Sequence, residues 1–182
     1  MTQRSTRRPR PFDEFVELEF GNVVALALGV LRDEDDAVDV AQETMLRTFE
    51  RWGQVSALER PGAWSRRVAL NLVNDRLRGR SRRQRLLDRL RQRRPMADVA
   101  VATGTAGVWD EEFWGHVAEL PRPQRDAVAL HYVLDLAVVD IAAIVERPEG
   151  TVKSDLARAR TRLRALMEPD VGTDVVDREA IT

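Results

Sequence analysis

The chain has 182 residues, enough for one or two domains of modest size, and it contains no cysteine, which excludes a disulfide framework, a thiolate metal site and a cysteine nucleophile. The formal net charge of −1 hides a strong segregation, because residues 12–60 carry −8, residues 61–94 carry +10 and residues 149–167 carry +3. Blocks of opposite sign predict two kinds of partner surface, a basic one for nucleic acid and an acidic one for a cationic protein.

The first half of the chain has the pattern of a small helical bundle. Residues 1–11 are basic and lack periodicity, so we expect a disordered arm. Helical apolar spacing then predicts three helices, at about 12–31, 35–52 and 61–80. The longest apolar run, residues 23–31, is far too short to span a membrane, so we expect no membrane-inserted segment. The absence of cysteine suits a reducing compartment, so we expect a cytoplasmic protein.

Apolar residues at helical spacing predict which faces of these helices are buried. In the second helix the expected stripe is Ala37, Val38, Ala41, Met45, Phe49 and Trp52. In the third helix it is Trp64, Val68, Leu72 and Leu77. Trp64 lies on this stripe, so we expect a core residue rather than a platform for base stacking. The acidic outer face of the second helix is open to two interpretations, a docking surface or an ordinary solvated face.

The second half of the chain is predicted to be helical as well. Residues 78–94 are dense in arginine and hint at an extension of the third helix, and residues 95–108 have the small-residue composition of a flexible linker. Four further helices are predicted, at 109–120, 124–133, 137–145 and 148–166. An acidic tail follows, to which the sequence assigns no task.

The last predicted helix has one apolar stripe and two charged flanks. The stripe residues are spaced 4, 3, 4 and 3 and are Val152, Leu156, Ala159, Leu163 and Leu166. One flank is predicted to present Thr151, Asp155, Arg158 and Arg162, and the other Lys153, Arg160 and Arg164. Cations on both flanks suit the two lips of a DNA major groove, although an amphipathic helix with a solvated outer face shows the same periodicity.

Catalytic chemistry has little support in the sequence. His116 and His131 are the only imidazole bases, and neither lies in a metal-binding or triad pattern. The acidic cluster at residues 33–36 lacks the ligand spacing of a calcium loop. We therefore predict no enzyme activity, no metal and no cofactor.

Four blocks of sequence, taken together and in order, resemble the extracytoplasmic-function group of bacterial RNA polymerase sigma factors. The blocks are residues 36–43, residues 63–71 with 75–78, residues 120–125, and residues 140–142 with 150–154 and 158–160. In the same order, these blocks resemble four segments of that family: the polymerase-docking helix, the promoter-melting segment, the start of the second domain and the helix-turn-helix that reads the −35 element.

The resemblance implies an all-α fold of two small helical domains joined by a flexible linker. The implied segments are a basic arm at 1–11, sigma region 2 at 12–83, a linker at 84–108, sigma region 4 at 109–168 and an acidic tail at 169–182. The implied function is that of a dissociable initiation factor that binds core RNA polymerase, melts promoter DNA at −10 and binds the −35 duplex. The alternative is a helix-turn-helix regulator that does not join polymerase.

The resemblance also assigns roles to individual residues. The polymerase-binding residues would be Asp39, Gln42 and Glu43. The residues that contact the −10 region would be Arg67, Asn71, Asn74, Arg76 and Arg78, with Asn71 at the position that contacts an extruded base. The residues that approach −35 DNA would be Thr151, Lys153, Ser154, Arg158 and Arg162. Core polymerase and promoter DNA are the implied partners, and an anti-sigma factor is a further candidate because the family often has one.

Three residues depart from the family pattern. Ser65 stands where leucine is usual, Glu146 where the turn often carries glycine, and Asp155 where arginine is common. If position 146 requires a positive φ, glutamate there costs about 1 kcal/mol. A carboxylate at position 155 would repel phosphates unless Arg158 or Arg162 pairs with it.

Overall fold

The computed structural model describes residues 11–91 and 111–167, with side chains described for 11–83 and 112–167. Within these ranges the chain forms helices and no strand, so the predicted all-α class is confirmed there. The helices are α1 (Phe12–Leu31), α2 (Glu34–Glu50), α3 (Trp52–Val55), α4 (Pro61–Arg91), α5 (Glu111–Glu119), α6 (Arg122–Leu134), α7 (Val138–Val145) and α8 (Glu149–Met167). The predicted basic arm at 1–11 lies outside the described residues except for Pro11, and the acidic tail at 169–182 lies outside them altogether. Of the linker predicted at 84–108, residues 84–91 belong to α4 and the rest lies outside the described residues.

The first half of the molecule is built on α1, which packs against both α2 and α4. Its core face is fully buried at Val23, Leu26 and Ala27. The tight connection to α2 is fixed by Asp33, whose Oδ1 accepts a hydrogen bond from the backbone N–H of Asp36 at 2.8 Å. Such a cap satisfies one of the unpaired N–H groups at a helix start.

The buried face of α2 differs from the predicted stripe. Phe49 is 60% exposed, and the end of the predicted helix separates as α3, which begins at Trp52. Thr44 and Thr48 are buried instead, and the Thr48 hydroxyl donates to the Thr44 carbonyl at 2.7 Å. Because this bond satisfies the Thr48 hydroxyl within the helix, a polar residue can occupy the face that the apolar pattern assigned to phenylalanine.

Helix α4 also buries a different face from the one predicted. Ser65, Ala69 and Val73 are buried, whereas Trp64 and Val68 are only half-buried. The reason is that α4 packs on α1 and α2 from one side and on α7 from another, so two surfaces of the helix are covered. The Trp64 ring lies 5.9 Å from the guanidinium carbon of Arg51, at the distance of a cation–π contact.

The second half consists of α5–α8 packed around Val128, Leu130, Ile141 and Ile144. Helices α7 and α8 form the predicted helix-turn-helix, and the predicted apolar stripe of α8 is buried except at its last position. Leu166 is 46% exposed, as part of a final turn of α8 in which residues 164–167 are all exposed.

The two halves pack directly against one another. Helix α1 contacts α5 and α6, and α4 contacts α7, so the buried side chains of both halves form one continuous core. At Gly29 of α1, an added Cβ would lie 2.9 Å from Cγ2 of Val133. A side chain at that position would therefore hold α1 and α6 apart.

Candidate nucleic-acid interface

Helix α8 presents a continuous exposed face in the second half. Lys153, Ser154, Arg158 and Arg162 are exposed and Thr151 is half-buried, which places all five predicted −35 residues on accessible parts of the helix. The side chains of Arg158 and Arg162 form no ion pair with any described residue. Two guanidinium groups without such partners are available to phosphate oxygens.

Asp155 does not belong to this exposed flank, contrary to the prediction. It is buried, and its carboxylate accepts a hydrogen bond from Nη1 of Arg147, which comes from the turn between α7 and α8. Its partner is thus Arg147 and neither Arg158 nor Arg162. The carboxylate is withdrawn from the surface and neutralised by a different arginine, so it does not repel phosphates at the face of α8.

Glu146 occupies the left-handed conformation, with φ 51° and ψ 51°. It ends α7, and its backbone N–H donates to the carbonyl of Ala142. Position 146 therefore does require a positive φ, and glutamate in place of glycine costs about 1 kcal/mol here. Its side chain forms an ion pair with Arg67 of α4.

Each residue predicted to contact the −10 region has a partner inside the molecule. Asn71 accepts a hydrogen bond from Arg122 of α6, and Arg78 pairs with Asp75 one turn earlier. Arg76 lies between the predicted DNA-binding surface of α4 and the predicted polymerase-binding surface of α2. Its guanidinium is 3.3 Å from Asp36 and 3.8 Å from Asp39 of α2. The structure therefore brings the arginines of α4 next to the acidic start of α2.

Asn74 is the most enclosed of the predicted −10 residues, at 1% exposure. Its Nδ2 donates to the Leu70 carbonyl at 2.7 Å and to Oδ1 of Asp126 at 2.9 Å, and its Oδ1 accepts from Arg125. Arg125 also donates to the carbonyls of Ala118 and Leu120 at 3.0 Å each, which ties α4 to the end of α5.

This polar cluster was not predicted from the sequence. Arg122 and Arg125 lie in a block that was assigned to the start of the second domain, and Asp126 was not singled out. All three are about fifty residues from their partners on α4. The one signal in the sequence is that Asp126 directly precedes the apolar run at residues 127–130, which places a charged residue beside a stretch that must be buried.

The cluster perturbs two titratable groups. Burial raises the pKa of Asp126, against the opposing effects of the Asn74 amide and of the Arg122 and Arg125 cations. Burial likewise lowers the pKa of Arg125, although the neighbouring Asp126 acts in the other direction. Loss of water around the charged groups outweighs their mutual attraction in both cases.

This pKa shift predicts a pH-dependent difference between the wild type and Asp126→Asn. The unfolded carboxyl has an ordinary pKa of 3.8 and the folded one a higher pKa, so the stability that Asp126 contributes is present below pH 3.8 and is lost as the pH rises through the folded pKa. The neutral variant should therefore gain stability relative to the wild type over that window. Urea unfolding at a series of pH values measures this, with Asp13→Asn as an exposed control. A constant difference between about pH 4 and pH 7 would contradict the prediction.

The predicted polymerase-binding residues lie together on α2. Asp39 and Gln42 are exposed, while Glu43 is half-buried and bonds to Arg47 at 2.8 Å. The exposed apolar side chains of Leu46 and Phe49 continue the same helix surface. Sequence reasoning missed this apolar component because Phe49 was assigned to the core and Leu46 was not considered.

No helix among residues 11–91 and 111–167 is both long enough and apolar enough to cross a membrane.

Comparisons with known proteins connect both halves to one family. The Sigma-70 region 2 family matches residues 15–83, and the Sigma-70 region 4 family matches residues 112–163. The chain is 32% identical over 149 residues to the ECF RNA polymerase sigma factor SigC of Mycobacterium tuberculosis, covering 77% of this chain and 75% of the relative. It is 26% identical over 175 residues to the ECF sigma factor SigW of Bacillus subtilis, covering 84% and 87% of the two chains.

A solved structure agrees with these matches. The sigma factor RpoE of Bartonella quintana, crystallised with the anti-sigma factor NepR, is 26% identical and superposes with a TM-score of 0.64. The match covers 87% of this chain and 98% of that one. The chain belongs to the extracytoplasmic-function group of the sigma-70 family, the dissociable factors that direct RNA polymerase to promoters.

Proposed function

We propose a division of promoter recognition between α4 and α8, with α2 as the surface that binds core polymerase. The observation that carries the proposal is the exposed face of α8, on which Arg158 and Arg162 form no ion pair with the described part of the chain. We further assign region 2 to residues 12–83 and region 4 to residues 109–168, joined by the linker at 84–108. The protein acts in the cytoplasm and has no catalytic activity, cofactor or metal of its own.

Helix α8 lies in the major groove of the −35 duplex. Arg158 and Arg162 bind phosphates along one lip of the groove, while Thr151, Lys153 and Ser154 lie near base edges at the start of the helix. The Arg147–Asp155 pair stabilises the connection between α7 and α8 and keeps the buried carboxylate away from the DNA.

Helix α4 binds the melted −10 strand. Arg67, Arg76 and Arg78 hold phosphates, and the amide groups of Asn71 and Asn74 recognise the bases. Capture of an extruded base by Asn71 offsets part of the few kcal/mol that unstacking costs, which helps to keep the duplex open.

Helix α2 binds a basic surface of core polymerase. Asp39, Gln42 and Glu43 supply the charged and polar contacts, and the exposed Leu46 and Phe49 supply apolar area beside them. An anti-sigma factor is a further proposed partner, as NepR is for RpoE of Bartonella quintana.

Gradient sedimentation with core RNA polymerase tests the proposed function directly. We expect the protein to comigrate with polymerase, and the combined complex to initiate run-off transcription on a subset of genomic fragments. Mapping the start sites then yields the promoter. Sequence-specific DNA binding without comigration would contradict the proposal and favour a regulator that acts without polymerase.

Arg158→Ala should weaken binding to the −35 duplex and lower the salt slope of log K by about one unit, since one phosphate contact is lost. Duplex binding by the reconstituted holoenzyme over a range of salt concentrations measures this. Arg51→Ala, which removes an arginine that stacks on Trp64, is the matched control and should leave the slope unchanged. An unchanged slope for Arg158→Ala would contradict its phosphate role.

Asn71→Ala should impair strand opening more than closed-duplex binding, because its amide acts on a base only after the strands separate. We expect roughly a tenfold loss in open complexes, the equivalent of about 1.4 kcal/mol of base capture. Permanganate reactivity of melted thymines measures opening, and a filter assay measures duplex binding. Asn22→Ala is the control, because the Asn22 amide nitrogen donates to the Leu18 carbonyl of its own helix. Equal losses in both assays would rule out a role confined to opening.

A further inference from the structure

Two exposed cations on one flank of α8, Arg160 and Arg164, have no task in the proposed function. Arg160 lies two residues after Arg158 and two before Arg162, which places it about 160° around the helix axis from each of them. A helix with its side chains fills a major groove about 12 Å wide. When Arg158 and Arg162 face one lip of the groove, Arg160 therefore faces the other.

Arg160 differs from Arg164 because a side chain of another helix holds it. Its Nε donates to the hydroxyl oxygen of Tyr132, on α6, at 3.0 Å. No residue in the described part of the chain accepts a hydrogen bond from Nη1 or Nη2 of Arg160 or forms an ion pair with them. The contact thus uses the nitrogen nearest the main chain and leaves the outer edge of the guanidinium available to a ligand.

The Tyr132 ring is itself fixed by aromatic neighbours. It meets Phe113 of α5 edge-on, with ring centres 6.3 Å apart, and it meets the ring of His131 at 4.8 Å. His131 is held in turn by a 3.0 Å contact between its Nδ1 and the Leu136 carbonyl. Tyr132 is 43% exposed, so its ring is packed on one side while its hydroxyl meets Arg160 at the protein surface.

We infer that Tyr132 is a positioning residue for −35 recognition, which holds the Arg160 guanidinium toward a DNA phosphate on the lip of the groove opposite to Arg158 and Arg162. The inference rests on the proposed placement of α8 in the major groove and adds a second phosphate site to it. Two helices build this site, since α6 supplies the tyrosine and α8 supplies the arginine.

The donors of this pair suit a phosphate. The outer edge of the guanidinium carries N–H groups only, and the Tyr132 oxygen already accepts from Arg160, so its own hydrogen is left to donate. Donors without an acceptor match phosphate oxygens, which the planar fork of arginine binds well. A duplex also offers phosphates to both flanks of α8 at once, which a single protein carboxylate does not.

The contact with Tyr132 lowers the entropic cost of binding DNA. A free arginine side chain has many rotamers and loses this freedom when it binds a phosphate. The bond from Nε to the tyrosine removes part of the freedom before the duplex arrives, so more of the phosphate interaction appears as affinity. Loss of one hydrogen bond of this kind changes an equilibrium constant about two- to tenfold.

Tyr132→Phe tests the inference, because it removes the hydroxyl and keeps the aromatic ring. In holoenzyme reconstituted with core polymerase, it should weaken binding to the −35 duplex of a promoter found by start-site mapping about threefold. The same change should have an effect below about 1.5-fold in Arg160→Ala, where no guanidinium remains to be positioned, and its full effect in Arg158→Ala. A general defect in the second half of the protein would weaken binding in all three backgrounds.

Duplexes in which one phosphate is replaced by a neutral methylphosphonate locate the contact. The wild type should lose affinity about fivefold or more at separate phosphates on the two lips of the groove. Arg160→Ala should lose its sensitivity on one lip and Arg158→Ala on the other. Tyr132→Phe should become less sensitive at the phosphate that Arg160→Ala identifies and stay fully sensitive elsewhere. Arg51→Ala, which removes an arginine outside α8, is the control and should respond like the wild type.

The inference would be overturned if Tyr132→Phe were as sensitive as the wild type at every phosphate, or weakened binding equally in Arg160→Ala and in the wild type. An Arg160→Ala defect that no neutral phosphate reproduces would overturn it as well and would indicate a protein carboxylate as the partner. Insensitivity of the wild type to every −35 phosphate would instead contradict the proposed placement of α8, so the two failures are distinguishable.

Discussion

Replacing Arg147 with alanine is expected to destabilise the second half of the protein by about 2–3 kcal/mol. The reason is that Arg147 is the cation that neutralises Asp155, whose side chain is only 8% exposed. Without it, an uncompensated carboxylate remains between α7 and α8. Urea unfolding followed by tryptophan fluorescence measures the loss, since Trp114 is buried in this half.

Replacing both Arg147 and Asp155 separates the contribution of the ion pair to stability from the cost of leaving one buried charge unpaired. Arg147→Leu combined with Asp155→Leu should recover most of the stability lost in Arg147→Ala, because an apolar pair has no desolvation cost. If Arg147→Ala unfolds at the same urea concentration as the wild type, the pair does not stabilise the turn. A double variant as stable as the wild type does not contradict the role of the pair, because it contains no unpaired charge.

The same pair shows where sequence reasoning about α8 succeeds and fails. Apolar periodicity identified Val152, Leu156 and Ala159 correctly, since tertiary packing and helical spacing agree along the apolar stripe of the helix. Asp155 lies three residues after Val152 and four before Ala159, so its position also faces inward. The prediction instead placed it on a flank with Arg158 and Arg162, and its true partner lies eight residues away across a turn that periodicity does not describe.

The predicted buried face of α2 was wrong for a related reason. Phe49 was assigned to the core because it is apolar, whereas it lies at the surface in contact with Phe12, with ring centres 5.0 Å apart. Helix existence and order were predictable because proline and capping residues mark the starts, as Asp33 does for α2 and Pro61 for α4. Which face turns inward depends on neighbours that come from elsewhere in the chain.

The candidate site was predictable in kind but not in arrangement. The alternation of arginine and asparagine along α4 indicated a nucleic-acid surface without reference to any partner. That Asn74 would be enclosed by Arg125 and Asp126 depends on contacts between residues about fifty positions apart, for which a single sequence contains no pattern. The direct packing of the two halves against one another is therefore a result of the structure alone.

Alanine at Gly29 and alanine at Gly21 are expected to change stability in opposite directions, although both lie in α1. A Cβ at Gly21 meets nothing within 4 Å, so Gly21→Ala should stabilise by up to about 1 kcal/mol through helix propensity. At Gly29 the same Cβ lies 2.9 Å from Val133, and the Trp114 ring is 3.7 Å away. Overpacking of this kind costs about 1–3 kcal/mol, which exceeds the gain in propensity.

Val133 cannot easily yield, because a β-branched side chain has few χ1 rotamers, and the added Cβ itself is confined by the Trp114 ring at 3.7 Å. Gly29→Ala should therefore loosen the contact of α1 with α5 and α6 and change the fluorescence of Trp114. Val133→Ala in the same chain removes the atom in conflict, so the double variant should be more stable than the sum of the single effects predicts. Simple additivity in urea unfolding would show that the two halves do not meet at Gly29 in solution.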